Sequence, residues 1–190
     1  MNTRKISAGS LLLLIALAYS QVACSDMIIE AGFHLGGDEL LQEPYSNGEK
    51  GSLKAGNMFS FDLGPLKQFS ERFEGQFTFG IKSDVIYSGE VEVSWIRYPL
   101  NGIFFYRGET YRLGLGATYH YSPKVKGQDF ASNVSQTYKN AFGALLEIDF
   151  NMKSAGFMWG LRYTLIDYET EQGDRVVDGN SLGILIIAQL

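Results

Sequence analysis

Two residues with potentially catalytic side chains, His120 and Ser122, stand two positions apart in the sequence His-Tyr-Ser. A serine nucleophile needs a base within hydrogen-bond reach, and that base needs a carboxylate to orient it. The nearest carboxylates on the next extended segment are Glu147 and Asp149. If the intervening loop folds symmetrically, Glu147 pairs near Leu113, about seven residues and so roughly 20 Å from His120 along a strand. We therefore expect no completed triad and no enzyme, with His120 and Ser122 as the only catalytic candidates.

Nine further ionisable residues fall on the polar face of the extended segments described below, and they carry charges of both signs. We expect them to form a network of ion pairs and hydrogen bonds inside a barrel too narrow for an open channel. The alternative is a narrow path for ions or small solutes. These residues are Glu30, His34, Asp62, Glu74, Glu92, Arg112, Glu147, Asp149 and Arg162.

Acidic residues also cluster in two polar segments, where they could bind calcium or bridge lipopolysaccharide through cations. Their spacing does not follow the fixed pattern of an EF-hand loop. We therefore expect solvated loops, no bound metal and no cofactor. The clusters are Asp38, Glu39, Glu43 and Glu49, and Asp167, Glu169, Glu171, Asp174 and Asp178.

The elements that must position these residues are strands. From Arg112 to Ser122, apolar residues alternate at every position with small or polar ones. Successive side chains of a strand point to opposite faces, so this segment has an apolar, aromatic face and a small or polar face. The same alternation recurs along the chain and predicts eight strands of membrane-spanning length. They are Met27–Leu35, Ala55–Leu63, Phe73–Lys82, Val91–Arg107, Arg112–Ser122, Ala141–Phe150, Phe157–Tyr168 and Asn180–Leu190.

The fourth predicted strand is interrupted by the sequence Tyr-Pro-Leu-Asn-Gly around Pro99, which could form a turn and give ten strands. The segment after it is too short to cross a membrane alone. We therefore expect one long strand with a bulge at Pro99. In this interpretation Val93 and Trp95 face outward, and Glu92 and Ser94 face inward.

The N-terminal segment predicts export from the cytoplasm. Arg4 and Lys5 precede a short apolar run from Leu11 to Tyr19, as in a signal peptide, and this run is too short to span a bilayer as a helix. We expect a signal peptide over residues 1–20, with cleavage near residue 24 as an alternative, and a barrel domain over residues 21–190. A third possibility is lipidation of Cys24.

The composition fits a membrane barrel. Beyond the N-terminal segment there is no run of 18 apolar residues, which excludes a helical membrane protein. An aromatic content of 14% and 22 glycines fit aromatic girdles and closely packed strands. The net charge of −5 argues against nucleic acid as a partner. Cys24 is the only cysteine, so an internal disulfide is excluded.

The connections between the predicted strands alternate in length. Segments 36–54, 124–137 and 169–179 are long and polar, whereas those near 108–110 and 151–155 are short. Outer-membrane barrels carry their long loops on the extracellular side. We therefore predict an all-β, eight-stranded, antiparallel, up-and-down transmembrane β-barrel in the outer membrane of a Gram-negative bacterium. A soluble lipocalin-like barrel with the two faces exchanged is the alternative.

This layout resembles the small eight-stranded outer-membrane proteins of the OmpX and OmpA-barrel type, over essentially the whole mature chain. Those proteins usually end in an aromatic residue, whereas this chain ends in Leu190. His120 and Ser122 also resemble the His-x-Ser pair of the outer-membrane lipid A deacylases, which are barrels with a His/Ser/Glu triad. Pro123 stands where that family carries an asparagine.

The expected function is a structural or surface-interaction role carried by the extracellular loops 36–54, 124–137 and 169–179. The expected partners are outer-membrane lipid, lipopolysaccharide and an extracellular ligand, and we expect a monomer. Three alternatives remain open: a narrow pore, a lipid A-modifying enzyme and a soluble periplasmic lipid-binding barrel.

Overall fold

The computed structural model describes residues 26–44, 50–88, 91–127, 135–152 and 156–190. The predicted cleavage sites and Cys24 lie outside these ranges. The described residues contain twelve strands: β1 Asp26–Gly36, β2 Glu39–Pro44, β3 Lys50–Lys54, β4 Met58–Gln68, β5 Phe73–Ser88, β6 Val91–Arg107, β7 Tyr111–Gly127, β8 Gln136–Thr137, β9 Ala141–Met152, β10 Phe157–Glu169, β11 Val176–Asp178 and β12 Ser181–Gln189.

Eight of these strands close into one antiparallel barrel in which sequential strands are neighbours. The order around the barrel is β1, β4, β5, β6, β7, β9, β10 and β12, and β12 pairs back onto β1. At this seam the Leu190 backbone N–H donates to the Met27 carbonyl at 2.8 Å. The predicted fold class is confirmed, and the ten-strand alternative is wrong for the described residues.

The barrel is apolar outside and polar inside. Large apolar side chains on the outer face are strongly exposed, with Phe59 at 62% and Leu115 at 65%, whereas Glu30 and Asp149 inside are at 0%. A soluble barrel would reverse this arrangement, so the lipocalin-like alternative is wrong. A closed antiparallel barrel with a lipid-facing exterior is the architecture of the bacterial outer membrane, and the chain is an outer-membrane protein.

No helix among the described residues is long and apolar enough to span a membrane.

Each predicted strand is present, but several extend beyond the alternating segment. β5 continues to Ser88 and β7 continues to Gly127. From the alternation we predict that these two strands end earlier, at Lys82 and Ser122. The alternation marks only the part of a strand that faces lipid, whereas backbone pairing continues past it. The strands therefore project beyond the membrane on the side of the long loops.

The prediction for β6 is wrong at Val93 and Trp95, which face inward, and at Ser94, which lies between them on the outer face of the wall. The Val93 and Trp95 side chains are buried, at 1% and 0% exposure. β5 and β6 pair in one register from Phe73 opposite Tyr106 to Ser88 opposite Val91. Because no residue is inserted into β6, the alternation runs through Pro99 unchanged and places Val93 and Trp95 on the same face as Arg97. The Glu92 side chain lies outside the described part of the chain.

The bulge between β6 and β7 lies on β7 rather than at Pro99. Pro99 is paired normally with His120, and the register shifts between Ile96 and Tyr98, opposite Ser122 and Pro123. Ser122 has a φ of 49°, in the left-handed region that is unusual for a residue other than glycine. The extra residue reverses the two faces of β7 beyond this point.

The long loops contain strands of their own. β2 and β3 form a hairpin between β1 and β4, β8 pairs with β7, and β11 pairs with β10. In the described parts of these loops, β8 and β11 extend the barrel sheet, whereas β2 and β3 form a separate two-stranded sheet.

Candidate functional site: the filled lumen and the extracellular cap

Two arginines hold four carboxylates in the lumen. Arg162 Nη2 lies 2.7 Å from Glu30 Oε2, and Arg162 Nε donates to Glu147 Oε2. The Gln76 amide donates to the other oxygen of Glu30 at 2.7 Å. All of these residues are almost fully buried. The alternation of β1, β9 and β10 places them on the inner face of neighbouring or facing strands.

The second cluster lies nearer the periplasmic end. Arg112 Nε donates to Asp149 Oδ2 at 2.6 Å, and Arg112 Nη1 donates to Glu74 Oε1 at 2.8 Å. Its third nitrogen donates to Gln76 at 3.1 Å, and the guanidinium lies 4.0 Å above the ring of Phe105. The arginine and its partners occupy this cross-section beside a cavity of about 60 Å³ whose lining includes Glu74, Arg112 and Asp149.

Hydrogen bonds to uncharged side chains continue the network toward the extracellular end. Asn101 donates to Asp62 at 3.1 Å and to Thr78 at 3.2 Å, and it accepts from Thr118 at 2.7 Å. Lys82 donates to Ser181 at 3.1 Å. The cavity beside these groups measures about 20 Å³, which is close to the space of one water molecule.

The two catalytic candidates do not contact each other in the described structure. His120 is buried in the lumen, where its Nδ1 lies 2.6 Å from the Tyr168 hydroxyl. Ser122 occupies the bulge, and its backbone N–H donates to the Asn140 side chain at 2.9 Å. Glu147 lies opposite Gly114, one residue from the predicted Leu113, and binds Arg162. The described contacts of His120 and Ser122 therefore assemble neither a nucleophile with its base nor a triad; the buried His–Ser hydrogen bond of the lumen is instead between His34 and Ser60, at 2.8 Å.

The sequence located most of the lumen charges. Eight of the nine predicted residues are buried in the barrel, and the ninth, Glu92, has no described side chain. The predicted set omits three further buried charged residues, Lys82, Asp84 and Arg97. The signal for Arg97 was present in the sequence, because it lies two residues from Pro99 on an unbroken alternation.

An apolar cluster closes the extracellular end of the lumen. Trp95 lies at its centre, with ring centroids 5.1 Å from Tyr138 and 5.3 Å from Tyr168. The Trp95 indole N–H donates to the Ala55 carbonyl at 3.0 Å. Burial in this cluster raises the pKa of the Tyr138 phenol. The members are Leu53, Ala55, Val93, Trp95, Val125, Tyr138, Ala141, Ile166, Tyr168 and Val177.

Hydrogen bonds join the first and last loops above this cluster. The Asp38 N–H donates to the Asp178 carbonyl at 2.7 Å, and the Asp178 N–H donates to the Asp38 carboxylate at 3.0 Å. Arg175 Nη2 donates to the Glu39 carbonyl at 3.0 Å. The β2–β3 hairpin is thereby fixed to the loop that contains β11.

The loop that contains β8 joins the same assembly. Lys139 and Glu169 form an ion pair at 2.7 Å, and the Glu171 N–H donates to the Thr137 carbonyl at 3.2 Å. We call the described parts of these three joined loops, residues 37–44, 50–57, 135–140 and 170–180, the extracellular cap. The cap is an ordered surface above a filled lumen.

The acidic residues of the cap serve as hydrogen-bond acceptors for neighbouring chain. Asp178 accepts from the backbone and side chain of Asn180, at 2.6 and 2.9 Å, and Asp174 accepts from Thr170 at 2.5 Å. Among the described residues, no three His, Cys, Asp or Glu side chains converge on a position that could hold a metal ion. Glu49 lies outside the described ranges, and the side chain of Glu43 is not described.

No protein-family model matches the chain, and no curated protein matches it. Among solved structures, the chain is similar to the attachment invasion locus protein Ail of Yersinia pestis in complex with the heparin analogue sucrose octasulfate. The identity is 16%, the TM-score is 0.48, and the match covers 87% of this chain and 97% of that chain. Neisserial surface protein A is similar at 12% identity and a TM-score of 0.49, over 87% of this chain and 96% of that chain.

A third similar structure is the outer-membrane protein AlkL, solved in lipid bilayers. The identity is 14% and the TM-score is 0.40, over 87% of this chain and 90% of that chain. The strand pairing of this chain establishes its fold, and its own side chains form the candidate site.

Proposed function

We propose that the protein is a surface-interaction protein of the outer membrane, in which the filled barrel is the anchor and the extracellular cap meets the partner. The observation that carries this proposal is the hydrogen-bonded union of three loops over the apolar cluster at Trp95. An ordered surface keeps its shape when it binds, so binding costs less conformational entropy. The protein acts as a monomer in this proposal.

The most exposed part of the cap is the turn at residues 171–174. Replacing these four residues with Gly-Ser-Gly-Ser leaves the barrel and the apolar cluster intact. Cells that display the wild-type protein should bind to an immobilised panel of matrix proteins and sulfated glycans more strongly than cells without it, and the turn variant should lose part of this binding. Equal binding by cells with and without the protein would contradict the proposal.

The same proposal assigns the lumen to stability rather than transport. Two arginine clusters occupy its cross-section, and the apolar cluster covers its extracellular end. In planar bilayers we expect the purified protein to give no resolved single-channel steps above the membrane baseline. Regular conductance steps that scale with protein concentration would favour the pore alternative.

The lipid A-modifying alternative has a direct test in the candidates His120 and Ser122. We expect the lipid A mass profile of expressing cells to match that of cells without the protein. A change in lipid A mass that is abolished by His120→Ala or Ser122→Ala would establish an enzyme.

A further inference from the structure

The bulge in β7 turns two lysines to the outer face of the barrel wall. Tyr121 faces outward, so uninterrupted alternation would place Pro123 outward and Lys124 inward. The extra residue at Ser122 reverses this order, since Lys124 lies opposite the outward-facing Ile96, and Val125 lies in the buried apolar cluster. Lys126, two residues further, shares the outer face and lies opposite Ser94. Bulges commonly serve to redirect side chains in this way.

The apolar outer face of the membrane-spanning strands forms a lipid-facing belt. On β7 these lysines come directly after the aromatic residues at the extracellular end of that belt. The outer face of β7 runs from Tyr111 to Tyr121, which is the length of a tilted membrane-spanning strand. Tyr98 on β6 lies opposite Tyr121 on the same face. Tyrosines gather at the level of lipid headgroups, so Lys124 and Lys126, three and five residues beyond Tyr121, follow that level on its extracellular side.

The two lysines have no acidic partner among the described side chains. Neither forms an ion pair there, and Lys126 is exposed while Lys124 is half-buried. Thr137, on β8, pairs with Lys124 and adds a hydroxyl to the same face. Two acidic residues of the rim, Asp167 on β10 and Asp178 on β11, lie opposite each other two strands away from β7.

We propose that Lys124 and Lys126 bind the phosphate groups of an outer-leaflet lipid whose acyl chains lie against the belt below Tyr98 and Tyr121. The inference rests on the membrane placement in the proposed function and adds a partner and its site. Ammonium groups form charge-assisted hydrogen bonds with phosphate oxygens. Their long methylene chains can lie along the apolar surface while the charge stays at the headgroups.

The test measures binding of diphosphorylated lipid A to the refolded protein in zwitterionic detergent micelles, by native mass spectrometry. The same lipid after enzymatic dephosphorylation is the ligand control. The test variant is Lys124→Gln with Lys126→Gln. The matched control is Lys67→Gln, because Lys67 also lies at a strand end but at the periplasmic rim of β4.

The wild type should prefer the phosphorylated lipid, and the double variant should bind it about 30-fold more weakly, at roughly fivefold per lysine. Lys67→Gln should bind like the wild type. Equal binding of the two lipids, or full binding by the double variant, would overturn the inference. Displacement by soluble pyrophosphate or a sulfated oligosaccharide at the same concentration would also overturn it, because the partner would then be a soluble anion.

The folded state is checked on a denaturing gel, where a folded barrel and its boiled form differ in mobility. If the double variant does not fold, the exposed single variant Lys126→Gln supplies the same comparison with an expected fivefold loss. A wild type that does not insert into lipid vesicles contradicts the membrane placement itself, and so is distinguishable from a folded protein without lipid preference.

Discussion

At the scale of single residues, the two arginine clusters are the parts of the lumen most sensitive to substitution. Arg162 is almost fully buried between Glu30 and Glu147. Removing one member of a buried ion pair leaves the others charged and without a partner, which costs far more than the net gain from forming the pair.

We expect Arg162→Gln to lower the free energy of unfolding by about 3–5 kcal/mol in a urea titration of the protein in lipid vesicles. Arg107→Gln is the control, because Arg107 is 42% exposed and lies 3.5 Å from Glu74 at the rim. Its cost should stay below about 1 kcal/mol. Equal costs for the two variants would contradict the ion-pair assignment.

Ser122 provides a second test at this scale. Its φ of 49° is a conformation that β-branched residues adopt at a cost and glycine adopts freely. Ser122→Val should lose about 1–2 kcal/mol of unfolding free energy, whereas Ser122→Gly should be close to neutral. The same urea titration measures both. A valine variant as stable as the glycine variant would show that β7 has no bulge at this residue.

At the scale of elements, the apolar cluster beneath the extracellular cap depends on β6, because β6 supplies Trp95 at its centre. Trp95→Ala removes an indole at 0% exposure and leaves the Ala55 carbonyl without its donor. We expect the free energy of unfolding, measured in the same urea titration, to fall by about 3–5 kcal/mol because of the cavity and the lost hydrogen bond. Phe142→Ala is the control because its ring is 74% exposed to lipid, and it should cost clearly less. A smaller loss of unfolding free energy for Trp95→Ala than for Phe142→Ala would contradict the packing of Trp95 beneath the cap.

The membrane-spanning part of each strand could be predicted from sequence because burial there follows a period of two. The error at Val93 and Trp95 has a physical origin. Proline is commonly associated with a bulge, yet Pro99 fits its strand without one, and the bulge occurs on the neighbouring strand at Ser122. Alternation along one strand cannot show which partner carries the inserted residue, because register is a property of the pair.

The cap could not be predicted for a related reason. Its strands are short, and it is held by backbone contacts between segments far apart in the chain, such as Asp38 with Asp178. Polar loop sequences carry no periodic signal for such contacts. The charged residues of the lumen could be predicted more fully, because that prediction requires only the inner face of each strand and not the ion-pair partner of each residue.

At the scale of the whole molecule, the closed barrel should resist unfolding by detergent. Every barrel strand is paired on both sides, and the seam between β1 and β12 runs from Ile28 opposite Gln189 to Gly36 opposite Ser181. We expect purified outer membranes to contain the protein, with different gel mobility before and after boiling. Recovery in the soluble periplasmic fraction with one mobility would contradict the barrel.

The most direct test of the account uses the two tryptophans, which lie on opposite faces of the wall. Trp159 is 37% exposed on the outer face, whereas Trp95 is at 0% within the cap cluster. The variants Trp95→Phe and Trp159→Phe each retain one fluorophore for quenching by brominated lipid acyl chains. We predict strong quenching of Trp159 and little quenching of Trp95. Strong quenching of Trp95 by the brominated lipid would contradict the inward orientation of its side chain on β6. Absence of quenching of Trp159 would contradict the lipid-facing exterior of the barrel.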